Sequence, residues 1–163
     1  MNNENNIIIE QVSSNNDLVD IAIIGSNTLP IYYTTIHLLE IVNNPLYYII
    51  KISITNKLQN NNIDNINTIG FIILKQNGSK KLHIMSIAIL EEYQGCGYGS
   101  MLINYLKSNY PKYSYSLYVQ TVNIKGISFY KKHGFKIVKL IENYYTELDE
   151  KNAYICEYYD DFA

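Results

Sequence analysis

Gln94-Gly95-Cys96-Gly97-Tyr98-Gly99-Ser100 is the stretch of this sequence best equipped for chemistry. It follows a β-rich run, Lys81 to Leu90, and precedes Met101, Leu102, Tyr105 and Leu106, which recur at helical spacing as far as Pro111. A strand that feeds a glycine turn and then a helix points several backbone N–H groups, and the positive end of the helix dipole, at one spot. Such a spot holds phosphate or pyrophosphate without side-chain charge. All 13 cations of the chain are Lys, so no bidentate Arg clamp exists and a phosphate ligand falls to backbone N–H groups, Lys or hydroxyls. The spacing G-x-G-x-G differs from the dinucleotide fingerprint, and the Gly-Lys-Ser/Thr of a Walker loop is absent.

Other chemistry-bearing residues stand alone. His83 lies in a strand-like run beside apolar neighbours, where a lone imidazole is more often structural than catalytic, although its ordinary pKa suits a proton acceptor. His37 and His133 read as helix-surface residues. Among 17 tyrosines most must be core or surface filler. Cys96 and Cys156 are too few for a metal cage and too isolated for a disulfide framework, so no metal is expected. Cys96 reads as a loop filler.

The elements that would position these groups follow from pattern. Ile7 to Val12 predicts a strand, and Ser13 or Ser14 caps a helix bearing Leu18, Val19, Ala22 and Ile23, ended by Gly25-Ser26-Asn27. A second helix runs after Pro30 to about Asn43. Leu46 to Ile54 predicts a strand, followed by an Asn-rich loop over residues 56–67. Thr68 to Leu74 and Lys81 to Leu90 predict a hairpin around Asn77-Gly78. Tyr113 to Gln120 predicts a strand, Asn123 caps a helix through Lys132 closed by Gly134, and Phe135 to Ile141 and Tyr154 to Tyr159 predict the last strands. This is an α+β (mixed α/β) arrangement, and 163 residues make one domain, 1–163.

Composition narrows the class. With 47% hydrophobic and 17% charged residues the chain is expected to fold, and with a net charge of −2 it has no general attraction to nucleic acid or anionic membrane. A polar, acidic start and apolar runs broken every few residues predict neither signal peptide nor membrane span. The expected compartment is the cytoplasm, with the nucleus as a second one.

Gln94-x-x-Gly97-x-Gly99 matches the acetyl-CoA motif Q/R-x-x-G-x-G/A, and Asn123-x-x-Gly126-Ile127-x-Phe129-Tyr130-Lys131-Lys132-x-Gly134-Phe135 resembles a second signature of the same family, the GNAT acetyltransferases. Leu29-Pro30-Ile31-Tyr32-Tyr33, Leu82-His83-Ile84-Met85, Leu117-Tyr118-Val119-Gln120 and Asn143-Tyr144-Tyr145 together resemble the catalytic subunits of NatE-type N-terminal acetyltransferases. The likeness covers residues 29–33 and 81–145.

The resemblance implies a GNAT fold, a mixed and mostly antiparallel sheet of about seven strands flanked by about four helices. It implies acetyl-CoA as co-substrate, lying along Ile87, Ile89 and Gln94, Gly95, Cys96, Gly97, Tyr98, Gly99 and Ser100, with Asn123 and Tyr130 near the thioester. It implies protein or peptide N-termini as acceptors, Met before an apolar residue, held by Leu29, Pro30, Ile31, Tyr33, Met85, Tyr144 and Tyr145. An auxiliary subunit or the ribosome is the partner such a family suggests. The family has Tyr where this chain has His83, and His where it has Tyr118. The catalytic set implied is therefore His83, Tyr118 and Tyr130, with the base open between the first two. Two other readings share the glycine loop: a GNAT enzyme acting on lysine side chains or a small amine, and a non-catalytic CoA-binding scaffold.

Overall fold

The computed structural model describes residues 6–56 and 65–160. Seven strands form one sheet of order β1-β2-β3-β4-β5-β7-β6. They are β1 (Asn6–Gln11), β2 (Tyr47–Asn56), β3 (Asn65–Gln76), β4 (Lys81–Ile89), β5 (Ser114–Gln120), β6 (Lys136–Ile141) and β7 (Ala153–Tyr158). The α-helices are α1 (Asn15–Thr28), α2 (Thr35–Val42), α3 (Tyr98–Asn109) and α4 (Ile124–Lys132), with one 3₁₀ turn, Glu91–Tyr93, ahead of α3. Pairing is antiparallel at β1–β2, β5–β7 and β6–β7 and parallel at β4–β5, so the sheet is mixed as expected.

Local chemistry explains most boundaries. Ser14 caps α1 in a full capping box with Asp17, and Thr34 does the same for α2 with the His37 ring. The helix α1 runs through Gly25 to Thr28 rather than ending there. Gly25 is buried, and a Cβ on it would sit 3.3 Å from Tyr32 Cβ and 3.7 Å from the Phe71 ring, so this glycine gives room and does not stop the helix. The buried face of α1 is Leu18, Ile21 and Ile24, while Val19 and Ile23 point outward, unlike the predicted face. Asn56 closes β2 and Asn65 opens β3, so the Asn-rich loop is shorter at both ends than 56–67; its remainder, 57–64, lies outside the described residues. The Asn77-Gly78 turn forms, with the Asn77 N–H donating to Lys81 O at 2.9 Å and Gly78 at φ 108°.

The chain gathers into two compact units, one drawn from the sequence up to Ile73 with Ser86–Leu102, the other from Leu74–Met85 and the sequence from Ile103 onward. The first buries Leu18, Leu38, Ile52, Phe71 and Ile72. An ion pair also lies inside it: Lys51 Nζ on β2 is 2.6 Å from Asp17 Oδ1 on α1 and 3.2 Å from Glu10 Oε1 on β1. The second unit buries Leu82, Ile84, Leu106, Leu117 and Cys156. Among the described residues no helix is long and apolar enough to cross a membrane.

Candidate active site

In the first unit the end of β4 and the start of α3 are joined by a turn held almost wholly by backbone. Leu90 N–H donates to Ile69 O at 2.9 Å, Tyr93 N–H to Leu90 O at 2.9 Å, and Gln94 N–H to Glu91 O at 3.1 Å. The Gln94 side chain returns to the strand, its Nε2 donating to Ile89 O at 2.8 Å. Gly95 at φ 76° and Gly97 at φ 90° then reverse the chain in a region that L side chains avoid. Gly97 is the cap of α3, because its carbonyl accepts the first helical bond, from Met101 N–H at 3.0 Å. Tyr98, Gly99 and Ser100 therefore form the first helical turn instead of extending the loop, and N–H groups of a first turn point outward along the axis. The rings of Tyr93 and Tyr98 bracket the turn edge to face, 6.1 Å apart. Cys96 is exposed and its Sγ lies 3.7 Å from Gln94 O.

Alternation along β4 puts His83, Met85, Ile87 and Ile89 on one face and the buried Leu82, Ile84 and Ala88 on the other. Ile89 is itself buried, packed over Gly70 of β3, where a Cβ would come within 2.4 Å of Ile89 Cδ1. Gly70 is thus what lets β3 approach the strand that leads into the turn, and the sequence pattern did not single it out. Leu29 caps the end of α1, donating its N–H to Gly25 O at 2.9 Å, and Pro30, Ile31 and Tyr33 follow in the link to α2. Ile31 is exposed and Tyr33 half-buried, its phenol pushed up in pKa by burial and by Tyr47.

The second unit brings together an imidazole and a set of phenols. His83 and Tyr118 extend from neighbouring parallel strands with ring centroids 5.2 Å apart. Tyr118 stacks on Tyr144 at 4.1 Å and 18°, and Tyr144 meets Tyr145 edge-on at 4.8 Å. Tyr144 reaches this position because Asn143 takes φ 55°, turning the chain between β6 and β7. Tyr145 N–H donates to Lys151 O at 2.9 Å, and burial, then Tyr144, pushes its phenol up to about 12. His83 Nδ1 is 2.9 Å from Ser116 Oγ of β5. Burial and the Lys75 ammonium lower the His83 pKa, so the ring is neutral at pH 7. Ser116 was missed from sequence, although the Ser114-x-Ser116-x-Tyr118 alternation was the available signal.

On α4, Asn123 is the cap, its Oδ1 accepting from Gly126 N–H at 2.9 Å. A Cβ on Gly126 would lie 2.7 Å from Asn123 Nδ2, so the pair Asn123/Gly126 is a geometric unit. Tyr130 packs against Phe129 and Phe135, and burial first, with Tyr145 and Cys156 adding, holds its phenol pKa well above the ordinary value. Among the described residues no group of three or more His, Cys, Asp or Glu is placed to hold a metal.

A seven-stranded mixed sheet with a glycine turn between β4 and α3 is the GNAT fold, and residues 60–137 match the family described as "Acetyltransferase (GNAT) domain". The chain thus has the GNAT fold, and its stretch 60–137 is similar to that acetyltransferase family. It is similar to an "N-alpha-acetyltransferase" of Sulfurisphaera tokodaii, 39% identical over 92 residues that make up 53% of this chain and 54% of the relative. The chain thus spans about half the length of that curated relative. Among solved structures it is similar to Ard1 from Thermoplasma volcanium, with TM-score 0.76, 26% identity, and coverage of 94% of this chain and 97% of that one. Arabidopsis thaliana Naa50 in complex with the bisubstrate analogue CoA-Ac-MVNAL shares the fold at TM-score 0.72 and 23% identity, covering 94% and 99%.

Proposed function

We propose that this protein transfers acetyl from acetyl-CoA to the α-amino group of protein N-termini, with Met followed by an apolar residue as the preferred start. The observation that carries the reading is Gly97, a positive-φ cap whose carbonyl opens α3 and whose turn presents first-turn N–H groups in a chain without Arg. That turn suits the pyrophosphate of a CoA thioester. Preference for an α-amine is supported by the "N-alpha-acetyltransferase" similar to this chain and by the CoA-peptide analogue held by a protein of the same fold.

The chemistry asks little of the protein. An α-amine has an ordinary pKa of about 8, so roughly a tenth is free base near pH 7. His83, neutral at that pH, accepts the remaining proton, directly or through water. The amine nitrogen bonds to the acetyl carbon, charge gathers on the thioester oxygen, and a backbone N–H of the Ser86–Leu90 segment stabilises it. The C–S bond then breaks, Tyr130, held protonated, supplies a proton to the departing sulfur, and the second proton that the nitrogen sheds on becoming an amide passes through water to restore the phenol. Leu29, Ile31 and Tyr33 offer an apolar surface to the first side chain, where burying Met is worth about 1.5–3 kcal/mol.

A peptide panel tests this reading. Peptides beginning Met-Leu or Met-Ile should be acetylated faster than those beginning Ser or Ala, and faster than peptides with a blocked N-terminus and a free lysine. Faster turnover of the lysine peptides, or of a small amine, would overturn the α-amine reading. CoA binding without any transfer would leave only a scaffold.

A further inference from the structure

We infer that Ser116 is a positioning residue that holds His83 in its Nδ1–H tautomer, so that Nε2 is the ring's proton-accepting atom. The inference rests on His83 being the proton acceptor proposed above.

The geometry is a cross-strand row within the second unit. His83 of β4 is the register partner of Ser116 of β5, Ser116 is the register partner of Glu157 of β7, and Glu157 is the register partner of Lys136 of β6. Register partners share a face of the sheet, with Cβ atoms about 4.5–5.5 Å apart in antiparallel pairs. The Ser116 hydroxyl therefore has the His83 ring on one side, Nδ1 to Oγ 2.9 Å, and a carboxylate-bearing residue on the other.

A hydroxyl can donate to Nδ1 or accept from Nδ1–H, and the two choices have opposite consequences. Donation would leave the proton on Nε2 and remove the ring's remaining lone pair. Acceptance leaves Nε2 open. Glu157, the register partner of Ser116 on β7, biases the choice through its charge, because a carboxylate on that side favours a hydroxyl proton turned away from the ring and oxygen lone pairs turned toward the imidazole. Glu157 is itself steadied by a hydrogen bond from the Tyr159 hydroxyl. The other groups around the ring do not compete for Nδ1: Lys75 of β3 acts on it through its charge, and Tyr118 lies against it ring to ring. In the reaction the α-ammonium proton moves to Nε2, giving an imidazolium whose Nδ1–H stays on Ser116, and the ring returns that proton to water.

The test reads the tautomer directly. In the ¹⁵N-labelled full chain at pH 8, long-range proton–nitrogen correlations of the His83 ring should show Nδ1 as the protonated nitrogen and Nε2 as the bare one. In Ser116→Ala the ring should shift toward the Nε2–H form, and kcat/KM for a Met-Leu peptide should fall about fivefold, the factor one net hydrogen bond is worth. The KM for acetyl-CoA should be unchanged, and Ser116→Thr should restore both tautomer and rate. A wild-type ring with its proton on Nε2, or a Ser116→Ala ring with an unaltered tautomer, would overturn the inference. Failure of the functional reading looks different: His83→Ala would keep its rate on the same peptide, while the wild-type tautomer would still be read from the nitrogens.

Discussion

His83 and Tyr118 lean on one another across the parallel β4–β5 pair, their rings 5.2 Å apart and inclined at 60°, and Tyr118 also stacks on Tyr144 at 4.1 Å. The stack restrains the Tyr118 ring, and His83 carries an imidazole, the side chain whose protonation changes near neutral pH. Its folded pKa lies below the ordinary imidazole value of 6.5, because burial and then Lys75 disfavour the charged ring. The neutral, proton-accepting form is thus populated above that lowered value. The ascending limb of kcat/KM against pH should lie below 6.5. His83→Ala should abolish that limb and cost about 10²-fold, the low end for a general base, because the α-amine partly deprotonates itself. Tyr118→Phe should lower the rate and leave the limb in place. An unchanged pH profile in His83→Ala would make the ring a packing residue.

Gly97→Val should abolish acetyl-CoA binding as measured by calorimetry. The reason is conformational, since no atom lies within 4 Å of the place a Cβ would occupy while φ is 90°. A β-branched residue there is strained by about 1–3 kcal/mol and would pull the cap of α3 out of shape. Gly95→Val, at φ 76°, should do the same. Undiminished affinity in both variants would remove the turn as the CoA site.

Much of this arrangement was legible because it rests on local signals. Ser14, Asn77-Gly78, Asn123 and Gly134 each mark a boundary through their own backbone chemistry, and each boundary forms where it was predicted. The glycine turn was legible for the same reason. What local signals do not carry is register. Ser116 acquires its meaning from lying opposite both His83 and Glu157, pairings that link residues 83, 116 and 157. The insertion of β7 between β5 and β6 is equally non-local. The face of α1 was misread because Leu18, Val19, Ile21, Ala22, Ile23 and Ile24 are apolar nearly all round, so spacing could not choose among them.

Asp17 of α1 and Lys51 of β2 pair across elements distant in sequence and should dominate the acid stability of the first unit. Burial raises the Asp17 pKa, but the bonds from Lys51, Ser13 and Ser14 outweigh it and the net shift is downward from 3.8. A depressed carboxyl contributes stability that is full above its unfolded value and is lost as pH falls through the folded one. Thermal stability should therefore drop below about pH 4. Asp17→Ala should lose about 3 kcal/mol at pH 7 by stranding a buried ammonium, with Glu10 at 3.2 Å limiting the damage. Asp17→Leu combined with Lys51→Met should recover most of it. A single variant as stable as wild type in urea denaturation would show the pair to be idle.

Tyr130 offers the sharpest separation between a proton donor and a packing ring. Burial, then Tyr145 and Cys156, hold its phenol protonated far into the alkaline range, so it can give a proton but does not titrate during assay. A thiol ionises near pH 8.5 in its ordinary state, so thiolate leaves well unaided. Tyr130→Phe should accordingly cost only about tenfold with acetyl-CoA, below the usual 10²-fold of general acid catalysis. The oxygen-ester analogue of acetyl-CoA must expel an alkoxide, a far poorer leaving group. With that analogue the Tyr130→Phe deficit should rise to about 10³-fold or more. Equal losses with the thioester and the oxygen ester would show that Tyr130 packs with Phe129 and Phe135 and donates nothing. Selective loss with the oxygen ester, at unchanged affinity for both, would fix the phenol as the acid.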